Sequence, residues 1–147
     1  FGWRISAWGW QLLFFKGPAA PPPPSGATEE VRRGHYLATA LGHCGECHTP
    51  RNALGVLDLS RHLGGNPSGP GGRIPNITPD KTGIGAMSED DLMTVLDSGM
   101  TPDGDVVGGE MTEVVEETTS KLTTEDRKAL VAYLRAVAPV QSEPKKK

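Results

Sequence analysis

Cys44-Gly45-Glu46-Cys47-His48 gathers two thiols and an imidazole into one pentapeptide, and Cys44 and Cys47 are the only cysteines of the chain. The order C-x-x-C-H is the covalent attachment signature of a c-type haem. Each S–H can add across one haem vinyl group to give a thioether. The two-residue spacer brings both sulfurs to one edge of the porphyrin. His48 follows at once and can place a ring nitrogen on the iron as the proximal ligand.

Other chemistries of the same residues fit less well. A thioredoxin-type dithiol belongs in a βαβ pattern, whereas this segment follows a helical stretch and precedes one rich in Pro and Gly. A structural zinc site needs four ligands, usually with a second regularly spaced pair. His35, His43 and His62 form no such pair with one another. A disulfide between Cys44 and Cys47 would close an unusually small ring.

The elements that position the motif are legible around it. Thr28-Glu29-Glu30-Val31 opens a helix, with Thr28 as N-cap and acids in the first turn. Leu37, Ala38 and Leu41 form its apolar stripe, and it runs into the motif. Thr49 to Gly85 shows little periodicity and is punctuated by Gly64-Gly65, Pro67 and Gly69 to Gly72, so a long functional loop is expected. Ser88-Glu89-Asp90-Asp91 is a capped helix start, and that helix should end before Gly99. Thr101-Pro102-Asp103-Gly104 is a turn. Thr123 caps a last helix carrying Leu130, Val131, Leu134 and Val137 inward, which Pro139 ends. No strand is expected.

The flanks differ in kind. Phe1 to Lys16 crowds Trp3, Trp8, Trp10 and Phe14-Phe15 into a run too short and broken to span a bilayer, which needs ~20 residues. Gly17 to Gly26, with Pro18 and Pro21 to Pro24, reads as an exposed polyproline II spacer. The chain therefore divides into an aromatic arm and Pro-rich linker (1–27), a globular domain (28–139) and a polar tail (140–147) that ends in the solvated Lys145 to Lys147. The start at Phe1 looks processed or truncated. Three readings of the arm stay open: the outer end of a membrane anchor, a surface for a partner subunit, or a link to an upstream haem domain. Residues 1–16 are thus the expected membrane or complex contact.

Composition agrees with a haem protein. Of 147 residues, 36% are hydrophobic and only 5% aromatic, a thin core that an enclosed haem would supplement. A net charge of −3 argues against nucleic acid. Because bacteria complete thioether attachment outside the cytoplasm, the motif implies the periplasmic side of the inner membrane.

Taken together, helix, C-x-x-C-H, loop, short helix, Met-bearing loop and C-terminal helix resemble a class I c-type cytochrome over roughly Thr28 to Pro139. The resemblance implies an all-α cytochrome c fold, three main helices and long loops wrapped around one covalently bound haem. Gly34 resembles the small residue where the N- and C-terminal helices cross, and Tyr133 its aromatic partner. Ile74-Pro75-Asn76-Ile77 resembles the Gly-Pro-x-Leu loop whose proline carbonyl accepts a hydrogen bond from the proximal imidazole, with Ile74 in place of the Gly. Gly42 to Asn52 and Pro75 to Asp80 are similar to the cytochrome subunits and domains of bacterial membrane-bound dehydrogenases for alcohols, gluconate and sorbitol.

The resemblance also implies a distal Met thioether on iron. Of Met87, Met93, Met100 and Met111, the irregular loop before the C-terminal helix favours Met111, with Met100 next and Met93 as core packing. Arg51 is a candidate propionate partner, and Asn76 and Thr78 are further candidate donors. His43 is expected on the surface or in packing, and His62 in an exposed, mobile loop. Glu110, Glu113, Glu116 and Glu117 form either an acidic rim for a basic partner or a solvated loop. One-electron transfer by a low-spin His/Met haem is the leading function, as an electron-relay subunit and not an enzyme. Its partners would be a dehydrogenase or quinol-oxidising module as donor and another cytochrome or an oxidase as acceptor. The alternatives are a peroxidase-like haem enzyme or ligand sensor with an open distal site, and a metal-held structural adaptor.

Overall fold

The computed structural model describes residues 3–14, 20–69 and 72–142. Its helices are α1 (Trp3–Phe14), α2 (Glu29–Tyr36), α3 (Cys44–His48), α4 (Glu89–Ser98), α5 (Glu110–Glu117) and α6 (Thr124–Ala136). The expectations for Phe15, Lys16, Pro18 and Lys145 to Lys147 lie outside the described residues.

The frame is the crossing of α2 and α6. Thr28 caps α2 by accepting from Val31 N (3.2 Å), and Thr123 caps α6 by accepting from Asp126 N (3.1 Å). Each cap satisfies a backbone donor that the first turn cannot. At the crossing Gly34 is buried, and a Cβ there would overlap the Ala129 carbonyl and stand 2.7 Å from Tyr133 Cβ. Only glycine lets the two backbones approach this closely. A fork of two hydrogen bonds, Arg33 Nε and Nη2 to the Asp126 carboxylate at 2.8 Å each, closes the outer edge.

The core gathers along this crossing. Leu37, Leu63, Leu92, Leu96, Leu130 and Leu134 are all buried, each contributing about 2 kcal/mol of transfer free energy. α4 joins through Leu92 and Leu96, and the Ser88–Asp91 capping box fixes its start. Gly99 (φ 75°) ends it in the left-handed conformation, as expected. Met87 and Met93 pack against the core, which accounts for both thioethers. Arg135 Nη1 donates to Ile84 O (3.0 Å) and Nη2 to Met87 O, so α6 holds the loop that leads into α4.

Four expectations are corrected. First, the expectation of no strand missed a short antiparallel hairpin, β1 (Asn66–Gly69) and β2 (Gly72–Ile74), which pairs Asn66 with Ile74 and whose register shifts between Asn66 and Gly69. Apart from Arg73 and Ile74 its residues are Gly, Pro, Asn and Ser, which are depleted in strands, so propensity alone does not announce it. Second, Met111 lies in the first turn of α5, not in an irregular loop. The helix starts after Gly109 (φ 62°), and Glu110 and Glu113 suit its N-terminal dipole. Third, the spacer is not wholly exposed. Pro21 is half-covered, and its carbonyl accepts from His35 Nε2 on α2 (2.9 Å). Fourth, His62 is buried, as described below.

The arm is helical, and Trp10 Nε1 donates to Leu54 O (2.8 Å), so it touches the domain at one loop. Ile5, Trp8, Leu12 and Leu13 stay exposed. No described helix is long and apolar enough to cross a membrane. At the other end Val140 to Ser142 bind into the domain. Ser142 N donates to Thr82 Oγ1 (2.8 Å), and Arg61 Nη2 donates to Gln141 O (2.8 Å).

Candidate haem-attachment site

The chain breaks sharply just before the motif. α2 continues as a wide π turn from Leu37 to Leu41, and Gly42 N closes it on Leu37 O (2.7 Å). His43 then takes a left-handed conformation (φ 47°) and lies on the surface. Glu46 N returns to His43 O (2.8 Å), starting α3. One short helix thus carries Cys44, Cys47 and His48. Both cysteines are free thiols, Cys44 partly buried and Cys47 exposed. Burial pushes the Cys44 thiol up to about 11, so it is held as S–H, the form that adds across a vinyl group.

His48 is buried, and its Nδ1 stands 2.8 Å from the Pro75 carbonyl oxygen. A carbonyl only accepts, so Nδ1 carries the proton and Nε2 keeps its lone pair. Burial lowers the imidazole pKa, and the Pro75 bond opposes that in part. A neutral ring with its outer nitrogen free and its inner nitrogen anchored is the form a metal ligand needs.

Several local devices place the Pro75 carbonyl. The hairpin delivers the chain to Ile74. Gly65 N donates to His48 O (2.8 Å), and Gly65 (φ 86°) lies against the 74–76 backbone, where a Cβ would come within 2.8 Å of Asn76 N. Asn76 is buried; its Nδ2 donates to Val140 O (2.6 Å), and its Oδ1 accepts from Thr78 N and Thr78 Oγ1 (2.8 Å each). Thr78, fully buried, accepts from Val140 N (3.1 Å). These two residues, expected as propionate donors, are partnered within the protein and fix Pro75 from behind.

The other expected residues stand as follows. Arg51 is paired with the Glu46 carboxylate and donates to Gly55 O (2.8 Å), which places it beside the exposed Cys47 flank of α3. Met111 is half-buried at the start of α5, and Met100 is half-exposed and bridged to Val106. Glu110, Glu113, Glu116 and Glu117 are all exposed, with Glu117 paired to Lys121 (2.6 Å).

His62 corrects the expectation of an exposed loop residue. It is buried behind the attachment helix, with Nε2 3.3 Å from Tyr133 Oη and Nδ1 3.5 Å from Thr49 Oγ1. Thr49, the residue after His48, is fully buried and accepts from Leu63 N (3.1 Å). Nothing in the local sequence predicts this, because it depends on α6 presenting Tyr133. The Gly64-Gly65 pair was the available signal for the close approach next to it.

The donor set therefore fits a covalently held haem. Two thiols and an anchored neutral imidazole share one helix, and among the described residues no group of His, Cys, Asp and Glu could hold a bare metal ion instead. No family model matches the chain. It is 49% identical to a diheme cytochrome c-type protein of Cereibacter sphaeroides, over 96% of this chain and 46% of that protein. It is 41% identical to the fructose dehydrogenase cytochrome subunit of Gluconobacter japonicus, over 78% of this chain and 23% of that one. It is 36% identical to the cytochrome c subunit of the quinone alcohol dehydrogenase of Gluconacetobacter polyoxogenes, over 89% of this chain and 29% of that one. The chain thus spans about half the length of the first of these relatives and less of the others. Attachment motif and anchored histidine agree with these relatives, which are named as a diheme c-type cytochrome and as cytochrome subunits of dehydrogenases, and the chain is similar to them over most of its length.

Proposed function

We propose that this chain relays one electron at a time on a single haem attached through Cys44 and Cys47 and ligated by His48 and Met111. The haem, when bound, supplies the one-electron couple; the chain holds it, sets its ligands and presents it to partners. The observation that carries this reading is the His48–Pro75 bond at 2.8 Å. A ligand held this firmly changes its surroundings little between oxidation states.

Met111 is preferred over Met100 because it is half-covered and follows the glycine-started turn of α5, whereas Met100 sits half-exposed in a bridge. Of the three propionate candidates, Arg51 at the surface is the best placed. Asn76 and Thr78 act through Pro75. The relatives' names speak for a dehydrogenase as the donor side, with a further cytochrome or an oxidase as acceptor. The exposed apolar face of α1 is the proposed contact with the complex, on the periplasmic side of the membrane.

Visible and near-infrared spectra of the holoprotein test the ligation. The native protein and Met100→Ala should show a low-spin haem with a weak sulfur-to-iron band. Met111→Ala should lose that band, lower its potential and bind carbon monoxide when reduced. A silent Met111→Ala with these changes in Met100→Ala would reverse the assignment.

A further inference from the structure

Behind the attachment helix lies a titratable group that haem binding does not use. The His62 ring packs against the backbone of the motif, where a Cβ on Gly45 would stand 3.0 Å from His62 Cε1. Nδ1 faces Thr49, covalently next to His48, and Nε2 faces Tyr133 Oη. The same ring lines a small pocket with Ala20, Thr39, His43, Gly45 and Glu46, about 20 Å³ in volume, enough for one water. His43 and Glu46 at its rim are exposed, so the buried imidazole has a wet path to solvent.

We propose that His62 is the site that takes up a proton when the haem takes up an electron. The inference rests on the electron-carrier reading above. Among the described residues no carboxylate forms an ion pair with His62, and Glu46, at the rim of the pocket, is paired with Arg51. Burial, with His35 adding to it, holds the ring's pKa below its ordinary value. The ring is therefore neutral beside an oxidised haem. One electron from an outside one-electron donor would make the haem less positive by one charge, and one proton drawn from bulk solvent through the pocket then converts His62 to imidazolium. Reoxidation returns the proton to solvent.

The groups facing His62 are Tyr133 from α6, His35 from α2, and His43 and Glu46 at the pocket mouth, with Cys44 beside Tyr133. Burial pushes the Tyr133 phenol up to about 12, so it keeps its proton and can donate to neutral His62 or accept from charged His62. Cys44, once a thioether, does not titrate. By reciprocity, reduction should raise the proton affinity of His62 by roughly tenfold, and the midpoint potential should fall as pH rises through the window between the two His62 pKa values.

The test is a redox titration of the holoprotein at each pH from about 4.5 to about 8, together with NMR titration of the His62 ring in both oxidation states. The native protein should show a sloping segment in that range. His62→Gln should keep the haem spectrum and a reversible couple but lose that segment. In the native protein the His62 titration midpoint should sit about one pH unit higher in the reduced state. An unchanged slope in His62→Gln, or a His62 midpoint equal in both states, overturns the proposal while leaving electron transfer intact. A protein with no reversible couple would instead defeat the carrier reading. Should His62→Gln not fold, the two native titrations decide alone.

Discussion

His48 Nδ1 donates to the Pro75 carbonyl oxygen across 2.8 Å. The two residues are far apart in sequence, and a hairpin, the close backbone approach at Gly65 and the Asn76–Thr78–Val140 cluster together bring them into register. The orientation of the His48 imidazole is thus a property of the whole loop rather than of the pentapeptide.

Removing the support behind Pro75 should be costly. Asn76→Ala leaves the buried Thr78 N without its acceptor and the part-buried Val140 carbonyl with only the longer bond from Thr78 Oγ1 (3.3 Å). A loss of about 1–3 kcal/mol is expected per buried group orphaned. Chemical denaturation of the holoprotein, followed by haem absorbance, reads it. Stability equal to native would show that the cluster does not hold the loop.

Gly34→Ala tests the helix crossing. The added methyl meets the Ala129 carbonyl and Tyr133 Cβ, neither of which can move without shifting α6. A cost of about 2 kcal/mol or more follows, and Gly34→Val should be worse. Thermal melts of the two variants compare directly, and a neutral Gly34→Ala would mean that the helices cross elsewhere.

The Arg33–Asp126 fork sets an acid limit. Hydrogen bonding to Arg33 holds the Asp126 carboxyl below its ordinary value. The unfolded chain therefore binds the proton more readily, so stability rises with pH through this window. The fork's contribution is complete above about pH 4 and is lost as pH falls through the lower folded value. Asp126→Asn should flatten this part of the acid-unfolding curve. An unchanged curve would show that the fork contributes nothing.

Much of this was readable in advance, and the misses share a cause. Helix caps at Thr28, Ser88 and Thr123 are local chemistry, and so is the glycine stop at Gly99. The attachment motif is likewise contiguous, and the Pro75 acceptor was reached through resemblance. The hairpin, the burial of His62 and the Asn76–Val140 bond were not legible, because each depends on a residue far along the chain. The helix that carries Met111 is not legible either, because Gly108-Gly109 before it reads as loop.

The arm can be tested apart from the haem domain. A chain beginning at Ser25 loses the Trp10–Leu54 and His35–Pro21 hydrogen bonds, for a cost of about 1 kcal/mol each. It should keep its haem spectrum and lose association with the complex or membrane. Unfolding of the haem domain in that chain would make the arm part of the core.

The central claim is that Cys44 and Cys47 hold a haem covalently at His48. Extraction of the purified holoprotein with acidified ketone, followed by mass measurement of the polypeptide, tests it directly. The account predicts that the haem stays with the chain and that Cys44→Ser with Cys47→Ser frees it. Release of all haem from the native chain into the solvent would contradict it.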